Sequence, residues 1–205
     1  MNRTLELQQA SSSLRSWGIR ERIGRAIAAF VGSLLARLSL RGAVLGAGVR
    51  VNGVVDSDLQ GTCRIASGVT FRGGMIPTVL RVAPGATLEI GKDCIFNYGV
   101  MFDVHDQVRI GSNCLFASLV RIADLDGDRS GPVVIGDDVW IAHGVIVQPG
   151  VRIGDGAVVA AGSVVGSEVP AGHLAAGNPA RSVPLDLVSK EGPRPSPIRP
   201  LEANK

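Results

Sequence analysis

Hydrophobic residues in the second half of the chain recur every six positions. From Ile135 the sequence reads Ile-Gly-Asp-Asp-Val-Trp, Ile-Ala-His-Gly-Val-Ile, Val-Gln-Pro-Gly-Val-Arg, Ile-Gly-Asp-Gly-Ala-Val, Val-Ala-Ala-Gly-Ser-Val and Val-Gly-Ser-Glu-Val-Pro. Ile135, Ile141, Val147, Ile153, Val159 and Val165 open the blocks, and a small or branched residue stands four places later: Val139, Val145, Val151, Ala157, Ser163 and Val169. A period of six is neither that of a helix nor that of a long strand, so it predicts a repeat architecture. Each block holds one short strand and a turn. Three blocks, about 18 residues, close a triangular coil, and coils stacked about 4.8 Å apart align the opening aliphatics as interior columns.

The same period extends upstream through Ile65, Phe71, Val82, Ile90, Phe96, Phe102, Ile110, Phe116 and Ile122. Its phase slips at 77–80, at 105–108 and, longest, at 125–132. In a solenoid such a slip is a loop expelled at a corner, often on the binding face. The pattern predicts one all-β solenoid of roughly seven coils, from 44 to about 176. Tight coil turns need positive φ, in keeping with 27 glycines among 205 residues.

The period changes at both ends. Ile23, Ile27, Phe30, Val31, Leu34, Leu35 and Leu38 fall at three- and four-residue steps in a helix predicted within 5–40, accompanied by Arg20, Arg22, Arg25, Arg37 and Arg41. Two roles stay open for it: a cap on the open first coil, or a basic amphipathic helix on an anionic membrane surface. Its apolar run, 26–36, is too short to span a bilayer, and the polar residues before it do not read as a secretory signal. Beyond Arg181 the period ends. Pro184, Pro193, Pro195, Pro197 and Pro200 punctuate a polar tail, predicted to be extended or disordered.

Composition narrows the function classes. A formal net charge of +3 is too small to argue for nucleic acid. Cys63, Cys94 and Cys114 all fall on small interior positions, and their spacing gives neither a disulfide framework nor a zinc site. Buried free thiols suit a reducing cytoplasm.

The stretch from Pro132-Val-Val-Ile-Gly-Asp-Asp-Val-Trp-Ile-Ala through Gln148-Pro-Gly-Val-Arg-Ile-Gly-Asp-Gly-Ala-Val-Val-Ala-Ala-Gly-Ser-Val-Val resembles the hexapeptide-repeat acyltransferases. Glu168-Val-Pro and Ala176-Gly-Asn-Pro-Ala-Arg181 extend the likeness to the galactoside, maltose and surface-polysaccharide O-acetyltransferase branch. The likeness is dense over 82–183. It implies a left-handed parallel β-helix over 42–183, between a helical segment (1–41) and a Pro-rich tail (184–205). It implies a homotrimer, acetyl-CoA as acyl donor in the groove between subunits, no required metal, and a histidine that deprotonates an acceptor hydroxyl of a sugar or lipid-linked glycan. By position, Ala142 and Ala160 would lie beside the pantetheine arm, and Gly166, Ser167, Asn178, Pro179 and Arg181 would surround the adenine and phosphates, with Arg181 as a phosphate partner.

Three departures stand out. Gly166-Ser167 precedes Glu168-Val-Pro170 where the family usually has Thr-Lys, so one cation is missing. Asn97-Tyr98-Gly99 stands for the family's Asn-Tyr-Asn, leaving Asn97 as the remaining substrate amide. The loop after Ile122 reads Ala123-Asp124-Leu125-Asp126-Gly127-Asp128-Arg129, with Leu125 or Asp128 where the family keeps its catalytic histidine.

Only three histidines exist. His143 and His173 read as turn residues. His105 is the candidate base: with Phe102 and Ile122 stacked as equivalent openers, Asp103 lies under Ala123 and His105 under Leu125, one coil from the missing histidine. Asp103 and Asp106 flank it and could fix its tautomer. Asp103, Asp124 and Asp128, with Asn97, are the candidate acceptor contacts. The alternating Asp124, Asp126 and Asp128 also resemble a calcium loop, but lack its downstream Glu. Two other classes compete. One is a trimeric scaffold that has lost its base. The other is a zinc hydrolyase like the γ-type carbonic anhydrases, which the wide spacing of the histidines disfavours.

Overall fold

The computed structural model describes residue 24 and residues 26–188. Strands of two to five residues alternate with turns and build three parallel sheets, the sides of a triangular coil. The first side runs β1 (Val44–Leu45), β4 (Thr62–Ile65), β7 (Thr87–Ile90), β10 (Gln107–Ile110), β15 (Val133–Ile135), β18 (Arg152–Ile153). The second runs β2 (Arg50–Asn52), β5 (Thr70–Arg72), β8 (Ile95–Phe96), β11 (Leu115–Phe116), β16 (Trp140–Ile141), β19 (Val158–Val159), β21 (His173–Gly177). The third runs β3 (Val55–Leu59), β6 (Thr78–Val82), β9 (Met101–Val104), β12 (Arg121–Ala123), β17 (Ile146–Val147), β20 (Val164–Val165). Six coils are complete. Val169, bridged to Ile153, and β21 begin a seventh. The fold is all-β, a parallel β-helix of the left-handed class.

The interior columns follow the six-residue period. On the second side Phe71, Phe96, Phe116, Ile141, Val159 and Ala175 stand in register, all buried. Phe96 stacks on Phe71 and Phe116 at centroid distances of 5.1 and 4.7 Å. The third side aligns Leu80, Phe102, Ile122, Val147 and Val165. Leu80 thus takes the opener's place that the period alone assigns to Val82. Val82 faces Val104 instead, and both are buried. All three cysteines are free and buried, and burial pushes the Cys63 thiol up to about 12.

The corner between the first and second sides shows why the repeat tolerates its turn residues. Gly48, Gly68, Asp93, Asn113, Asp138, Gly156 and Gly172 all have positive φ there, between 56° and 77°. Glycine, Asp and Asn are the residues that enter the left-handed region most readily. From Gly68 onward each donates its N–H to the preceding coil, as Asp93 does to Ser67 and Asn113 to Lys92.

Three elements lie outside the coils. Residues 26–39 form helix α1, which ends through Gly42 at φ 98°. The helix packs on the first coil through Gly32 and Ala36, with Leu40 buried just past its end, while the large apolar residues within the helix are exposed. A Cβ on Gly32 would stand 2.7 Å from Asn52 Oδ1 and 3.4 Å from Arg50 Cβ, so any side chain there must displace the Asn52 amide. The predicted helical residues before 24 lie outside the described residues. The loop after Ile122 folds as an antiparallel hairpin, β13 (Leu125–Asp126) against β14 (Arg129–Ser130). At the other end β21 pairs antiparallel with β22 (Ala180–Pro184), followed by a short helix α2 (Leu185–Val188) where an extended tail was expected. Residues 189–205 lie outside the described residues.

Candidate functional site

The second phase slip falls at the corner between the third and first sides, where β9 turns into β10 through His105 and Asp106. Ala123 pairs with Asp103, as stacked openers predict. One residue on, Asp124 is 1% exposed. Its Oδ1 accepts the His105 backbone N–H at 2.7 Å and its Oδ2 accepts the Asp106 N–H at 2.8 Å. The Asp124 carbonyl accepts the Gly131 N–H at 2.9 Å, closing the base of the β13–β14 hairpin. A carboxylate bound by two amides is a rigid clamp, and here it fixes the corner that carries the imidazole. Asp124 therefore faces inward to the backbone and not toward an acceptor.

The His105 ring projects outward. Its Nε2 lies 3.1 Å from Asp103 Oδ1, with the two side chains 44% and 36% exposed. A carboxylate on one ring nitrogen fixes the tautomer and leaves the other, Nδ1, to exchange protons. Histidine beside an orienting carboxylate is the usual arrangement of a general base.

A cavity of about 270 Å³ opens beside this pair, lined by Asp58, Gln60, Arg81, Asp103 and His105, with Val82, Ala83 and Pro84 as an apolar wall. Register explains the polar floor: Asp58, Arg81 and Asp103 face outward in one column of the third side. Arg81 is held by Asp56 through a bidentate pair, Nη2–Oδ2 at 2.6 Å and Nη1–Oδ1 at 3.1 Å. That hydrogen bonding keeps the Asp56 carboxyl below its usual range and raises the Arg81 guanidinium. The pair is exposed and adds little stability; it positions a cation beside the cavity. Sequence reasoning missed Asp58, Gln60 and Arg81. Their signal was the coil length, which stacks residues 22 or 23 apart.

A larger recess, about 470 Å³, runs along the first side. Its one carboxylate, Glu89, lies between Arg64 at 3.4 Å and Arg109 at 3.0 Å. It brings together none of the predicted site residues, so the smaller cavity is the better candidate.

The remaining predicted residues are distributed over other corners. Asn97 follows β8, at the corner between the second and third sides, and its N–H joins the ladder to Phe116. Asp128 is exposed in the hairpin turn, away from buried Asp124, so the three alternating aspartates do not converge. Among the described residues no group of three His, Cys, Asp or Glu side chains could hold a metal ion. The three histidines occupy three different corners. His143 sits between the second and third sides with Nδ1 2.9 Å from Ser118 Oγ, and His173 starts β21 with Nδ1 2.9 Å from the Ala171 carbonyl.

Ala142 and Ala160 stack one coil apart and spend their N–H groups on the ladder, to Val159 and Ala175. Ala176, in register beyond Ala160, pairs with Arg181 across the β21–β22 hairpin, whose turn is Asn178-Pro179. Exposed Arg181 thus ends the column of the two alanines, two strands beyond Ala160. Gly166 and Ser167 follow β20 on the opposite edge of the third side, in the column of Asp103, Ala123 and Gln148. Arg129 reaches up this column from the hairpin and donates to Gln148 Oε1 at 2.6 Å. Within one chain the expected donor residues therefore form two groups, on either edge of the third side, and His105 shares an edge with Gly166 and Ser167.

Residues 132–167 match the family model described as bacterial transferase hexapeptide (six repeats). Galactoside O-acetyltransferase of Escherichia coli is 34% identical over 110 residues, 48% of this chain and 54% of that protein. A 2,3,4,5-tetrahydropyridine-2,6-dicarboxylate N-acetyltransferase of Staphylococcus aureus is 38% identical over 77 residues, 38% of this chain and 30% of that protein. A solved galactoside acetyltransferase in complex with coenzyme A aligns at 26% identity over 69% of this chain and 64% of that chain, with a TM-score of 0.45. The chain spans about half the length of the curated relatives it matches. Residues 132–167 are a bacterial transferase hexapeptide repeat, and the solenoid that contains them is similar in sequence to acetyltransferases built on that repeat.

Proposed function

We propose that the protein is an O-acyltransferase that uses acetyl-CoA and acts on a hydroxyl of a sugar or surface-polysaccharide precursor. The observation that carries this reading is the His105–Asp103 pair at 3.1 Å, with its backbone clamped by buried Asp124, beside a polar cavity. Asp103 holds Nε2, and Nδ1 takes the proton of the acceptor hydroxyl. The hydroxyl oxygen bonds to the thioester carbonyl carbon, the C–S bond breaks, and the proton returns from His105 to the departing thiolate. Asp58, Gln60 and Arg81 offer the hydrogen-bonding groups that a polyhydroxylated acceptor needs.

Two arginines of the last coils are available to the donor, Arg152 on the first side and Arg181 at the terminal hairpin. Exposed Arg181 and Arg152 supply cations for its phosphates, in place of the one missing at Ser167. The donor groups divide between two edges of the third side, which suits a groove completed by a second copy, as in a homotrimer. A scaffold that has lost its base is the second reading. Leu125, 38% exposed where the family keeps its histidine, is the observation that favours it.

Turnover of acetyl-CoA against a panel of sugar acceptors decides between them. His105→Ala should lower kcat roughly a hundred- to ten-thousandfold while donor affinity is retained. Full turnover by His105→Ala would remove His105 from the reaction.

A further inference from the structure

Helix α1 is amphipathic in the reverse of the usual sense. A helix on a soluble protein normally turns its large apolar residues to the core. Here small residues of the helix face the solenoid: Gly32 and Ala36 are buried, and Ala29 and Ser33 are half-buried; Leu40, just past the helix end, is the one large apolar side chain beside them that is buried. Ser57 Oγ from the first coil donates to the Ser39 carbonyl and helps hold the helix there. The opposite face carries Ile27 (58% exposed), Phe30 (72%), Val31 (45%), Leu34 (49%), Leu35 (37%) and Leu38 (50%). At 3.6 residues per turn these six span an arc of roughly 140°. A contiguous apolar face of this kind marks an interaction site.

The charges at its rim indicate what covers it. Arg37 is exposed on one edge of the apolar arc, and Arg41 is exposed just past the end of the helix. From 22 to 41 the sequence holds Arg22, Arg25, Arg37 and Arg41 and neither Asp nor Glu. A second copy would present the same positive rim to its like. An anionic bilayer surface satisfies both features at once, because acyl chains take the apolar residues and headgroups take the arginines. The fourteen residues 26–39 extend only about 21 Å, against about 30 Å of bilayer hydrocarbon, so the helix would lie in the interface plane. No described helix is long and apolar enough to cross a membrane.

We infer that α1 is a membrane-surface anchor, which seats the first-coil end of the solenoid on an anionic lipid bilayer. The full-length protein is sedimented with phosphatidylcholine vesicles, with and without phosphatidylserine. Neither acyl donor nor acceptor is present, so the outcome is independent of the proposed reaction. The protein should pellet with the phosphatidylserine vesicles. Phe30→Ser with Leu34→Ser should lower that partition roughly a hundredfold, about tenfold for each residue. Arg37→Glu with Arg41→Glu should remove most of the preference for phosphatidylserine. All four side chains are exposed, so thermal unfolding should be unchanged in both variants. Three results would overturn the inference: no pelleting with phosphatidylserine vesicles, equal partition of all three proteins, or self-association that Phe30→Ser with Leu34→Ser abolishes without any vesicle binding.

Discussion

At the scale of single residues, Asp124 is the position where sequence and structure diverge most usefully. Its place in Asp124-Leu125-Asp126-Gly127-Asp128 makes it a candidate acceptor contact, yet it is buried beneath the corner that holds His105. The neighbouring Asp126 and Asp128 are exposed. Nothing in the local pattern separates the three, because the inward turn is set by backbone amides that arrive from the coil below. Asp124→Ala should orphan the N–H groups of His105 and Asp106 and cost about 1–3 kcal/mol, read as a drop of several degrees in thermal midpoint. Asp128→Ala should stay within about 0.5 kcal/mol of the parent. Equal midpoints for the two variants would mean that the clamp contributes nothing. The stacking of Asp103 under Ala123 was legible, because the opener period fixes which residues are neighbours along the solenoid axis. Arg81 and Asp58 were not, since their column crosses the phase slip at 77–80 that also moved the opener from Val82 to Leu80.

At the scale of elements, the regular coils were readable because one short pattern specifies strand, turn and inward face together. Irregular elements were not. The β13–β14 hairpin contains no apolar alternation; its strands pair through the main chain across Leu125–Ser130 and Asp126–Arg129, and Arg129 ties it to Gln148. The helical stripe in α1 was visible, but periodicity cannot say which face turns inward. Docking was decided by closeness: the helix backbone approaches β2 at Gly32, where large side chains would collide. Gly32→Leu should accordingly force the helix off the first coil and lower the thermal midpoint, by about 1–3 kcal/mol in stability. A Gly32→Leu protein as stable as the parent would contradict this packing.

At the scale of the molecule, a stack of coils produces function by placing sequence-distant residues on shared edges. His105, Gln148 and Gly166 belong to different coils yet follow one edge of the third side, whereas Ala142, Ala160 and Arg181 follow the other. A ligand long enough to reach from the terminal hairpin to His105 must pass about four coils, roughly 19 Å. An extended acyl-CoA suits such a path better than a compact ligand does. That donor is central to the proposed reaction, and calorimetric titration with acetyl-CoA tests it most directly. Saturable binding near one site per chain, weakened by Arg181→Ala, is the predicted result. Absence of binding at millimolar donor would contradict the acyltransferase reading and leave the solenoid as a scaffold.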